Sequence, residues 1–232
     1  MASKYYGAKG GWIDVNTLPN YNAIAQKNSV LFHQISGLIF NNTDVLILTF
    51  FCNLTTVSIY TMYKFIVSII TSFLSNISGS CSFKMGQIFT DRGRFIELND
   101  IYESVFISLS FCLYSIVYVF IMPFLRLYTD GMDADYLLKY MPILVVSAEI
   151  LSQLRVPTQN IITFAGHFTE TQWRSLLESA INLTVSLICV NVFGIYGVMI
   201  GTVIALVYRT NDIIIYANTK ILNRSPKKPI SL

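Results

Sequence analysis

Six apolar runs, each near the length of a membrane-crossing helix, constrain this chain more than anything else in it. They fall at about 29–51, 56–79, 101–123, 140–163, 174–191 and 195–216. A helix crosses about 30 Å of hydrocarbon with about 20 residues, and a chain with six such runs has few soluble folds open to it. Composition agrees, because 53% of the residues are hydrophobic and only 12% are charged, against about 25% charged in ordinary soluble domains. The expected fold class is all-α, a polytopic membrane helix bundle of about six transmembrane helices.

The connections predict the orientation. Lys4, Lys9, Lys27, Lys84, Arg92, Arg94, Arg174, Lys220, Arg224, Lys227 and Lys228 fall on one side of the six runs, and only Arg126 and Lys139 on the other. Cytoplasmic loops carry the excess of Lys and Arg, so both termini are expected in the cytoplasm of a multi-pass cell-membrane protein. Residues 1–28 hold no short apolar core of the signal-peptide kind and read as a cytoplasmic or interfacial segment, with Asn16 or Thr17 opening a surface helix. Residues 29–217 form the six-helix lobe, and 218–232 a basic cytoplasmic tail.

Polar residues inside the runs recur at helical spacing. His33, Gly37, Asn41 and Asp44 share a face of the first run; Thr61, Lys64, Ser68, Thr71 and Ser75 share one of the second. Ser152, Arg155, Gln159 and Thr163 stripe the fourth, with Glu149 at the edge, and Thr171, Ser175, Glu178, Asn182 and Ser186 stripe the fifth. Small hydroxyls commonly tie helices together in a bilayer, which accounts for most Ser and Thr positions. Charges at depth are costly and mark pathways or cavities, so Lys64, Arg155, Asp44, Glu149 and Glu178 point to a hydrated cavity. Arg155 carries a permanent charge and a planar fork of donors suited to phosphate, and Pro157 predicts a bend beside it. Substrate contacts are expected at Arg155, Lys64, Gln159 and Asn41. Cavity tuning or ion coupling is expected at Asp44, Glu149, Glu178 and His33.

Other chemistry finds little footing. Cys52, Cys81, Cys112 and Cys189 lack paired spacing, so neither a disulfide framework nor a zinc site is indicated. With two histidines, His33 and His167, and no nucleophile motif, neither a catalytic centre nor a metal or other cofactor is expected, and no nucleic-acid footprint is present. The acidic outer turn "LYTDGMDADY", with Asp130, Asp133 and Asp135, reads as solvated. Gly194, Gly197 and Gly201 in "FGIYGVMIGT" read as a close helix contact.

"LFHQISGLIFNNTDVLILTFFCNLTTVSIYTMYKFIVSII" and the stretch from "RVPTQNIITFAGHFTETQWRS" through "GIYGVMIGTVIALVYRTNDIIIYANTKIL" resemble the second half of the polysaccharide (Wzx-type) flippases, within the multidrug/oligosaccharidyl-lipid/polysaccharide exporter superfamily. The resemblance runs from about Lys4 to Arg224. It implies one lobe of a MATE-like transporter in a bacterium, with a first lobe missing from this chain. The implied cargo is an undecaprenyl-diphosphate-linked glycan repeat unit, carried across the cytoplasmic membrane by alternating access for surface polysaccharide biosynthesis. Membrane lipids, a separate first lobe or a second copy are the implied partners. Three alternatives stay open: a multidrug or cation antiporter of the same superfamily, an inactive membrane fragment, and a glycan polymerase or ligase. Short outer loops disfavour the last.

Overall fold

The computed structural model describes residues 27–130 and 135–224. The expected interfacial helix near Asn16, the Asp133 part of the acidic turn and most of the basic tail lie outside them. The described chain is helical apart from short connections. It runs α1 (Lys27–Phe51), α2 (Leu54–Ile88), α3 (Arg92–Tyr128), α4 (Met141–Leu154), α5 (Val156–Ala165), α6 (Phe168–Phe193) and α7 (Ile195–Tyr216), followed by a π-helical turn at Ala217–Ile221.

Four of these helices are long and apolar enough to cross a membrane: α2, α3, α6, and α7 with its π-helical extension. The fourth apolar run is divided. α4 ends at Leu154, α5 starts at Val156, and Arg155 sits at the junction with φ −84° and ψ −15°. Pro157 in the first turn of α5 has no N–H to continue the ladder, which is the bend expected from the sequence. α1 is long enough but is not among the four; Lys27, Asn28, His33, Gln34, Asn41, Asn42 and Asp44 dilute its apolar character.

Local chemistry sets the ends. Asn53 caps α2, its Oδ1 accepting from the Thr56 backbone N–H at 2.8 Å, as capping side chains do for orphan donors. Asp91 does the same for α3 through the Arg94 N–H at 3.4 Å. Gly166 closes α5 in the left-handed region at φ 69°, a conformation that only glycine adopts cheaply.

α6 and α7 form a tight hairpin around Gly194, and α1 packs along α6. α2, α3 and α4 form a second group, joined to the first mainly where α4 meets α7. One apolar core, including Leu48, Tyr63, Val67, Tyr114, Val145 and Met199, runs between the groups. A smaller core at the end of α2 gathers Met85, Phe95, Ile161, Ile162 and Ile213, with the Phe89 and Phe95 rings edge-to-face at 4.9 Å.

Of the glycine series, Gly197 and Gly201 form the expected close contact, while Gly194, where a Cβ would meet nothing within 4 Å, instead makes the turn between α6 and α7 at φ 55°. A Cβ at Gly201 would collide with the Ser186 hydroxyl and lie 2.8 Å from the Ser186 backbone nitrogen; one at Gly197 would collide with the Cys189 carbonyl. Gly201→Leu is therefore expected to separate α6 from α7, lowering the detergent melting temperature by the equivalent of about 3 kcal/mol, the upper range for overpacking. Gly37→Leu, where a Cβ meets open space, should leave it nearly unchanged, and equal effects at the two sites would contradict this packing.

Candidate functional site

Where α1, α2, α4 and α7 come together around the α4–α5 break, they line an open cavity of about 300 Å³. Asn41, Lys64, Glu149 and Arg155 line it, with the hydroxyls of Ser68, Thr71, Ser72, Ser152 and Thr202. Each helix contributes through its period: Lys64, Ser68 and Thr71 follow one face of α2, and Glu149 and Ser152 one face of α4. The break then places Arg155 one residue beyond the end of α4, where its side chain is 22% exposed.

The cations are paired. Lys64 Nζ lies 2.6 Å from Glu149 Oε1, while Glu149 Oε2 accepts from Thr71 Oγ1 at 3.1 Å. Thr71 in turn meets the Tyr114 hydroxyl at 2.7 Å. Arg155 Nη1 donates to Glu178 Oε1. Glu178 is shared, because its Oε2 lies 3.5 Å from Arg209 Nε. Arg209 continues to Asp212 at 3.0 Å, and Asp212 to Arg174. Three arginines thus meet two carboxylates, and the chain of ion pairs keeps one positive charge in excess. Arg155 is its end at the cavity. Among the described residues its Nε and Nη2 make no hydrogen bond, so the edge of the fork that can grip two oxygens at once is uncommitted.

Asp44 lies behind the cavity wall. The expectation that its carboxylate would share a water-accessible surface with Arg155 is corrected by its burial, at 3% exposed. Its Oδ2 accepts from the Tyr60 hydroxyl and from Thr202 Oγ1, both at 2.8 Å. Thr202 reaches the cavity; Asp44 does not. Asn182 donates to Thr202 at 3.0 Å. Among the described residues Asp44 Oδ1 and Asn182 Oδ1 are both buried without a partner, which is unusual, since buried polar atoms are nearly always satisfied.

The other expected site residues are placed elsewhere. Gln159 is on α5 and does not line the cavity; its backbone carbonyl accepts from Thr163. His33 Nε2 lies 3.0 Å from the Phe168 carbonyl and 3.1 Å from Thr171 Oγ1, joining α1 to the start of α6. The α6 stripe faces neighbouring helices: Asn182 donates to Thr202 Oγ1 and Ser186 to the Val198 carbonyl, while Ser179 beside it donates to the Ser36 carbonyl. These are interhelical ties of the ordinary kind.

Sequence reasoning passed over Arg209, Asp212 and Thr202. Their signal was present in "GTVIALVYRTND", where Arg209 and Asp212 stand one helical turn apart in an apolar run. Arg174 was read as a loop cation, although it pairs with Asp212. Among the described residues no three His, Cys, Asp or Glu side chains are grouped to hold a metal ion. No family model matches the chain, and no curated protein or solved structure matches it.

Proposed function

We propose that the chain is one six-helix lobe of a MATE-like bacterial membrane transporter, a flippase for lipid-linked oligosaccharides. On this reading α1 and the α4–α5 pair complete six spans in the cytoplasmic membrane, with both termini cytoplasmic, as the bias of Lys and Arg favours. The cargo is an undecaprenyl-diphosphate-linked glycan whose head group enters the cavity while its tail stays in the bilayer.

The observation that carries the reading is the uncommitted edge of Arg155 in a hydroxyl-lined cavity at a helix break. A guanidinium edge grips two phosphate oxygens together. Lys64, Ser68, Thr71, Ser152 and Asn41 supply donors and acceptors for a second phosphate and for sugar hydroxyls. An anionic head group competes with Glu149 and Glu178 for Lys64 and Arg155, so loading loosens the ties between α2 and α4 and between the break and α6. That exchange gives binding a differential effect on helix packing, which any ligand-driven change of conformation requires. The unpartnered Oδ1 of Asp44, behind Thr202, supports Asp44 as the residue that takes up a coupling proton or sodium ion. Transport of organic cations is less well supported, because the ion-pair chain ending at the cavity carries excess positive charge.

The test uses vesicles containing the chain completed by the first lobe of a Wzx-type flippase, and a lipid-linked oligosaccharide with a fluorescent head. An impermeant reductant should bleach the inner-leaflet pool as well, once the protein has carried that lipid to the outer leaflet, and should leave that pool unbleached in protein-free vesicles. Identical protection in both would overturn the flippase reading.

A further inference from the structure

A second concavity, of about 550 Å³, lies between the end of α2 and the first half of α3, within the roughly 300–1,000 Å³ of ordinary ligand sites. Its walls are apolar, and it shares no residue with the Arg155 cavity. The Tyr102 hydroxyl donates to Ser78 at 2.9 Å, so Tyr102 presents its ring to the groove with its polar end already satisfied. Ile101 and Val105, on the outer wall, are 56% and 62% exposed.

The mouth has a different chemistry. Lys84 and Arg94, both exposed, line the groove where α2 and α3 approach their connecting turn. Neither has a carboxylate within ion-pair distance among the described residues. The nearby acids are engaged or turned away: Asp91 caps α3, Asp100 pairs with Arg224, and Glu97 does not line the groove.

Length fixes the depth. α2 and α3 have 35 and 37 residues, about 52 and 55 Å of helix, and so overrun the roughly 30 Å hydrocarbon core. From Arg94 to Leu109 the groove follows α3 for about 22 Å, enough to run from head-group level through one hydrocarbon leaflet of about 15 Å. We infer that this groove binds one anionic glycerophospholipid of the leaflet nearest the α2–α3 turn, its phosphate held between Lys84 and Arg94 and an acyl chain along Tyr102, Ile101 and Val105. The site depends on membrane insertion and is independent of the transport reading.

The test is native mass spectrometry of the chain released from nanodiscs of equimolar phosphatidylglycerol and phosphatidylcholine. One phosphatidylglycerol should be retained per chain, preferred on the order of tenfold, as two cations near an anionic head group provide. Lys84→Gln with Arg94→Gln should bring the two lipids to near parity. Ile101→Trp, which fills the groove and keeps both cations, should reduce retention of both lipids. Equal retention by the wild type, or an undiminished preference in the double variant, would overturn the site; so would displacement of the lipid by inorganic phosphate alone.

Discussion

Arg209→Ala should destabilise the fold more than any other single change among the charged residues of α6 and α7. Its side chain is 3% exposed and stands between Glu178 and Asp212, so its loss leaves the buried Glu178 and the half-buried Asp212 with one arginine each. Removing one partner of a buried ion pair typically costs about 3–5 kcal/mol. Arg155 and Arg174 remain paired with the two acids, which places the expected loss near the lower end, or a melting temperature lower by on the order of 10 °C. Arg209→Lys, which keeps a cation between Glu178 and Asp212, should recover part of that loss. A wild-type melting curve for Arg209→Ala, measured in detergent, would mean that the ion pairs contribute nothing to holding α6 against α7.

The broad architecture was legible because its determinants are local. Runs of apolar residues fix helices, Pro157 fixes the break, and Gly197 and Gly201, one helical turn apart, fix the close hairpin. Pairing was not legible, because it depends on which helices become neighbours. Lys64 and Glu149 are 85 positions apart, and no periodicity within α2 or α4 could show that they meet. The same holds for Asp44. Its position on a polar face of α1 was visible, but burial behind Thr202 required knowing that α7 packs there. The α6 stripe of Ser175, Glu178, Asn182 and Ser186 has the same spacing as a cavity-lining stripe, and only the neighbouring α1 and α7 make it a seam. Arg209 and Asp212 were overlooked for a simpler reason: apolar residues dominate α7 around them.

Arg155 is where structure and proposed function converge most closely, and its replacement should have the largest effect on activity. Alanine removes the charge and the fork; lysine keeps the charge alone. Arg155→Ala should also leave Glu178 with Arg209 as its remaining cation, so the variant should fold, with a modest loss of stability compared with Arg209→Ala. Its defect should therefore appear in ligand binding first.

The most direct measurement is the affinity of the purified chain, in nanodiscs, for undecaprenyl diphosphate against undecaprenol, which has the same tail and no phosphate. The wild type should favour the diphosphate, and Arg155→Ala should lose at least about tenfold of that affinity, since a charge-assisted hydrogen bond contributes about 1.5–3 kcal/mol. Arg155→Lys should fall between them, and undecaprenol should bind all three alike. Equal affinity of the wild type for both lipids, or undiminished diphosphate binding by Arg155→Ala, would contradict a diphosphate site in this cavity.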